Sequence, residues 1–277
     1  YNLETDMLQK ITRPTVERQP GTDGLMRGMN NSQLWTGTFS PDFTTFAFVK
    51  DYDLFVKDLQ TGVDKQVTFD GHEELMNGGP DWVYPEELSQ STAYWYSPDG
   101  KSIAYLQFDE KGVYKYPIIH ELTFEAELEQ ERYPKAGETN PTVKLFIVNI
   151  ETGNQVEVRT NSSENVYIIR PQWRDDGSEL FFQRLNRRQN NLEFLAADPS
   201  TGSVRTVLEE REDAFVRLHN HFRLLKDGKQ FLWSSERSGW RHLYIYDFEG
   251  NMVKQLTDGD WEVSGVTRVD HDNELIY

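Results

Sequence analysis

The chain has 277 residues, and 46 Asp plus Glu against 29 Lys plus Arg give it a formal charge of −17, which argues against a nucleic-acid-binding protein. With 37% hydrophobic and 13% aromatic residues it can bury a core, so its composition is not that of a disordered chain. The absence of cysteine excludes disulfides, thiol nucleophiles and thiolate metal sites, and no apolar run approaches the roughly 20 residues that a membrane span needs.

In chain order, residues 1–12 read as the closing hairpin of a β-unit whose opening strands are missing. Residues 13–33, with Pro, Gly, Asn and charges, read as a surface connection. From there two landmarks alternate. The first is a Pro/Asp-Gly turn before an apolar strand: Ser40-Pro-Asp-Phe43, Ser97-Pro-Asp-Gly100, Asp175-Asp-Gly177 and Lys226-Asp-Gly228. The second is a strand running into Asp/Asn-x-x-Thr-Gly or a shortened form of it, as in Leu54 to Gly62, Leu145 to Gly153, Phe194 to Gly202 and Leu243 to Gly250. The starts of the last three copies are 49 residues apart, whereas the first interval is 91 because of an insertion. Short antiparallel strands closed by the same two turns at this period predict β-propeller blades. A β-sandwich has no reason to repeat one pair of turns in one order.

The expectation is therefore an all-β chain, a partial propeller of about four blades belonging to a larger ring. Its predicted blades are residues 34–80, 81–160 with an insertion at 109–142, 165–210 and 215–260, and residues 264–277 open the next one.

Few residues suggest chemistry. No serine stands in Gly-x-Ser-x-Gly, so no catalytic residue is assigned within the chain. Gly100-Lys101-Ser102 fails as a phosphate loop because Trp95 occupies the place of the first glycine. His219-Asn-His221 has strand spacing, so both rings can face one way, but without a third ligand the expectation is a polar loop end and no metal. No cofactor is expected. Asp81-Trp-Val-Tyr-Pro-Glu-Glu-Leu88 has two readings. Pro85 with Glu86 and Glu87 is helix-start composition, proline at the first helical position and acids near the positive dipole end. Alternatively the two carboxylates, about 100° apart around a helix, converge on a primary ammonium through charge-assisted hydrogen bonds, and so measure a peptide from its free N-terminus.

At these residues a family resemblance enters. Asp81-Trp-Val-Tyr84, Glu86-Glu87, Tyr94-Trp-Tyr-Ser-Pro-Asp-Gly100, Ile103-Ala-Tyr-Leu-Gln-Phe108, the stretch from Arg132 to Lys144, Ser235-Glu-Arg-Ser-Gly-Trp-Arg-His-Leu-Tyr244 and Trp261-Glu-Val263 resemble the propeller of the dipeptidyl peptidase IV family, in the prolyl oligopeptidase group of serine peptidases. The landmarks run in the family's order from about residue 34 to the end. The resemblance implies an eight-bladed propeller over an α/β-hydrolase domain that removes Xaa-Pro and Xaa-Ala dipeptides, with Glu86 and Glu87 holding the substrate ammonium. Pro85 departs from the pattern, since many members carry a third acid there. The insertion between Tyr116 and Gly137 matches a blade extension that helps form a homodimer. The serine elbow with its Asp and His, the hydrolase tyrosine and a propeller arginine expected before Tyr1 find no match in the chain.

The implied partners are peptides with a free N-terminus and the hydrolase domain of the same protein, in an exported protein of the bacterial periplasm or secreted. Nucleic acid and a membrane span are not expected. Two alternatives stand beside this reading: a non-catalytic propeller scaffold, and the propeller of a tripeptidyl peptidase.

Overall fold

The computed structural model describes residues 37–122, 124–160, 165–226, 228–273 and 275–277. The hairpin expected at residues 1–12 and the connection at 13–33 lie outside them. The all-β expectation holds, with one short helix among the described residues.

Local turn chemistry builds the sheets. At the four Pro/Asp-Gly landmarks the fourth residue has positive φ, namely Phe43 (58°), Gly100 (70°), Gly177 (72°) and Gly228 (62°). Its N–H closes back onto the carbonyl three residues earlier at 2.8–2.9 Å. Only that one residue of the Ser97–Gly100 turn is left-handed, so this is not the mirror-image two-residue hairpin, which needs positive φ at both central positions. Ser40 Oγ and Ser97 Oγ each donate to the aspartate two residues on, at 2.6 Å in both cases, and this fixes the turn before the strand begins.

The chain divides into two compact units, Tyr1–Pro141 with Val148–Asn154 and Thr142–Ile147 with Gln155–Tyr277. The first unit contains a four-stranded antiparallel sheet of β1 (Thr38–Phe39), β2 (Thr45–Lys50), β3 (Asp53–Asp58) and β4 (Asp64–Gln66), in that order. Beside it in sequence come β5 (Leu75–Asn77), β6 (Tyr94–Tyr96) and β7 (Ser102–Asp109), followed by a two-stranded ribbon of β8 (Lys115–His120) and β9 (Glu127–Arg132). The ribbon is what the predicted insertion builds.

The strand preceding β7 is split. Tyr94–Tyr96 pairs with Ile103–Tyr105, and Leu75–Asn77 pairs with Gln107–Asp109. At the junction Leu106 donates its N–H to the Ala93 carbonyl at 2.8 Å and accepts from the Gly78 N–H at 2.9 Å. Residues 78 and 93 thus meet at one point of β7, and everything between them is an excursion from the sheet. That excursion carries the only helix described, α1 (Val83–Leu88).

In the second unit β10 (Thr142–Asn149), cut by the division, pairs with β11 (Gln155–Val158). Two four-stranded meanders follow: β12 (Val166–Trp173) to β15 (Val204–Arg211) through β13 (Leu180–Asn186) and β14 (Asn191–Ala197), then β16 (Arg223–Leu224) to β19 (Met252–Gln255) through β17 (Gln230–Ser235) and β18 (His242–Asp247). Residues 269–276 close as a short hairpin, β20 (Val269–Asp270) against β21 (Leu275–Ile276). The core between the meanders is aromatic: Phe194 lies 4.7 Å from Phe222 and 5.0 Å from Trp233, and Phe181 stacks on Phe248 at 5.0 Å. Phe181, Phe194, Phe231 and Trp233 have at most 1% of their surface exposed, and burial of each contributes about 1.5–3 kcal/mol.

Candidate functional site

The helix α1 is short, so it depends on its seat rather than on its own propensity. Val83, Tyr84 and Leu88 are buried, and Tyr84 meets Phe108 of β7 edge-on at 4.8 Å. Asp81, 4% exposed, accepts the Tyr84 N–H on Oδ1 at 3.0 Å, which satisfies one of the unpaired donors of the first turn. Ser89 ends the helix in the left-handed conformation at φ 53°, and the Gln90 N–H turns back to the Tyr84 carbonyl at 3.0 Å.

The expected proline position needs correcting: the helix starts at Val83, so Pro85 is its third residue and not its first. It is still within the first turn, whose N–H groups have no intrahelical acceptor, so the missing donor costs nothing.

Glu86 and Glu87 are both exposed on this helix. Neither forms a hydrogen bond or an ion pair among the described residues. Glu86 stands in the first turn, as the helix-start reading expects, and Glu87 follows it in the second. Beside the helix, Trp82 packs edge-on against Tyr133 at 4.2 Å, and Tyr133 lies 6.0 Å from Tyr116 of the ribbon.

Beneath the helix start lies a buried acidic pair with no role in the sequence reading. Burial pushes the Asp81 carboxyl up to about 7 against the bonds it accepts from the helix backbone. Burial and the neighbouring Asp81 push Glu110, 7% exposed, up to about 8. Arg132 partly offsets the rise at Glu110, and its guanidinium bonds to the Glu110 backbone carbonyl at 2.9 Å and to Glu74 at 2.8 Å. One signal for Asp81 was available in the sequence, since an aspartate three residues before a buried helical position is a capping spacing. Nothing local announced Glu110, because its burial comes from residues far along the chain.

The histidine expectation is half right. His219 and His221 lie on the loop that leads into β16 and face one way, their rings stacked 5.4 Å apart, but the environment is buried rather than polar. They are 8% and 6% exposed, with His219 edge-on to Trp233 at 4.5 Å and His221 Nδ1 2.9 Å from Ser234 Oγ. Burial holds His219 well below the ordinary imidazole range and takes His221 down to about 4, so both are neutral core residues. No group of three or more metal-ligating side chains occurs among the described residues.

Comparison with known proteins gives this geometry a context. The whole chain, residues 1–277, matches the family described as the dipeptidyl peptidase IV (DPP IV) N-terminal region. It is 33% identical over 258 residues to the Aspergillus flavus protein described as "Probable dipeptidyl peptidase 4", covering 86% of this chain and 33% of that protein. To dipeptidyl peptidase 4 of Trichophyton rubrum it is 32% identical over 254 residues, covering 86% and 32%. The crystal structure of Porphyromonas gingivalis dipeptidyl peptidase 4 superposes with a TM-score of 0.79 at 32% identity, covering 84% of this chain and 34% of that one. The chain spans about a third of the length of each of these relatives. On the whole-length family match and on these relatives, the chain belongs to the family of the dipeptidyl peptidase IV N-terminal region.

Proposed function

We propose that this chain is the part of a dipeptidyl peptidase that recognises the free N-terminus of its peptide substrate, with Glu86 and Glu87 accepting the substrate ammonium. The observation that carries this reading is the pair itself: two adjacent exposed carboxylates without partners among the described residues, on a helix lifted out of the sheet edge and seated on buried side chains. Two carboxylates on one ammonium form strong charge-assisted bonds of fixed direction. They set the distance from the N-terminus to the bond that is cut, releasing Xaa-Pro and Xaa-Ala dipeptides, and so disfavour the tripeptidyl alternative. The nucleophile and its acid–base partners come from a hydrolase domain of the same protein.

We assign a homodimer contact to the ribbon β8–β9 and its tip, where Ile119, Leu122, Phe124 and Leu128 expose 61%, 104%, 105% and 62% of their surface, the kind of apolar patch that partners cover. Export to the periplasm or the medium belongs to the same reading. No helix among the described residues is long and apolar enough to cross a membrane.

The test is hydrolysis of Gly-Pro-p-nitroanilide by the full-length protein carrying this chain, with Glu86→Gln and Glu87→Gln and an N-acetylated substrate as control. Each variant is expected to lose at least about tenfold in kcat/KM, the worth of one charge-assisted bond, and the acetylated substrate is expected to be refused. Unchanged kinetics in both variants overturn the reading and leave a propeller that binds by other means.

A further inference from the structure

Asp81 lies outside any contact with the proposed ammonium site, yet its side chain ties the start of α1 to the interior by a hydrogen bond to the helix backbone. Its carboxyl is 4% exposed, its Oδ1 holds the Tyr84 N–H at 3.0 Å, and Tyr84 in turn is fixed against Phe108 of β7. At the other end of the helix the Gln90 N–H returns to the same Tyr84 through its carbonyl. Tyr84 is therefore the pivot of the excursion, and the bond from Asp81 sets the rotation of the helix about it. Glu86 and Glu87 follow Tyr84 by two and three residues, so a change in that rotation moves both carboxylates together.

We propose that Asp81 is a positioning residue, its buried carboxyl fixing the direction in which Glu86 and Glu87 present themselves to a substrate ammonium. The inference rests on the N-terminus reading given above and adds to it the residue on which the alignment of the pair depends. Burial rather than a neighbouring charge decides which form of the Asp81 carboxyl sits there. Glu110, just past the end of β7, is the acid that feels Asp81, with Asp109 and Glu131 acting on Glu110 in turn, and Arg132 is held by the Glu110 carbonyl and by Glu74. Burial raises Asp81 to about 7, so at lower pH the side chain is the neutral acid. An amide of the same shape reproduces it and keeps the acceptor oxygen.

This makes Asp81→Asn a conservative rescue and Asp81→Ala the removal of the cap. In the full-length protein, Asp81→Ala is expected to raise KM for Gly-Pro-p-nitroanilide about tenfold with kcat within about twofold of wild type, the size of effect a lost cap has on its equilibrium. Asp81→Asn is expected to return KM at pH 6 to within about twofold, because it restores the acceptor. The same Asp81→Ala change made on top of Glu86→Gln and Glu87→Gln is expected to add less than about twofold, since a residue acting through the pair has nothing left to align.

An Asp81→Ala effect that multiplies fully with the glutamate changes, or a KM that stays at wild type while Glu86→Gln raises it, overturns the positioning role alone. Glutamate variants with unchanged KM overturn the N-terminus reading and this inference with it. Should Asp81→Ala not fold, Asp81→Ser carries the comparison with its shorter acceptor. A KM raised several-fold at constant kcat supports the role, and a proportional fall in kcat with no change in KM sinks it.

Discussion

Phe43, at φ 58°, stands where the equivalent turns carry glycine. A left-handed L-residue costs about 1–2 kcal/mol, and this ring is 58% exposed, so its packing returns little. Phe43→Gly is therefore expected to leave the chemical-denaturation midpoint unchanged or raise it, whereas Gly100→Ala is expected to lower stability by about 1 kcal/mol. A Cβ at Gly100 meets nothing closer than 3.8 Å, so that cost is backbone alone. In the second landmark the glycines differ, Gly62 and Gly153 having open space and Gly202 a close backbone neighbour. A Cβ at Gly202 would lie 2.1 Å from the Glu157 carbonyl oxygen, so Gly202→Ala is expected to cost clearly more than Gly100→Ala in the same measurement.

At the scale of the element, the informative feature is the split strand. Had β5 run straight into β6, Leu106 would have met one continuous partner; instead residues 78 and 93 share it, and α1 hangs between them. The helix is held by three buried side chains, Val83, Tyr84 and Leu88, which supply the packing that a helix this short cannot replace with propensity. Leu88, 2% exposed, is the test of that seat: Leu88→Ala is expected to destabilise by about 2–5 kcal/mol and to raise KM along with it. The residues of the helix were legible in the sequence and its start was not. Pro85 suggested a beginning at itself, whereas the first turn is set two residues earlier by the buried Asp81 acceptor.

Across the whole molecule, two sets of buried titratable groups pull stability in opposite directions with pH. Asp81 and Glu110 have folded values raised to about 7 and about 8. Between the ordinary carboxylate range and those values the folded chain holds protons that the unfolded chain has released, so stability falls as pH rises through that window and is level above it. His219 and His221 are lowered, the latter to about 4. Between about 6.5 and 4 the unfolded chain takes up protons that the folded chain refuses, so their contribution is lost as pH falls. The two slopes oppose each other from about pH 4 to 6.5. Wild type is expected to show a shallow stability profile there by urea denaturation, while Asp81→Asn, which removes one acid term, shows stability rising more steeply with pH. An Asp81→Asn profile parallel to wild type would contradict the buried-acid assignment.

The sequence by itself determined the all-β class, the blade-like period and the candidate pair, because each rests on chemistry within a few residues: left-handed turn positions, Asp and Asn side chains closing their own turns, and two acids side by side. What only the tertiary structure decided was environment. His219 and His221 read as a polar loop end; they are on a loop but buried, since Trp233 and Ser234 of β17 cover them. Glu110, to which no sequence pattern drew attention, is buried and feels the charge of Asp81. Burial is a sum over segments distant in the chain, so no local pattern carries it, and the seat beneath Glu86 and Glu87 became visible only when those segments were brought together.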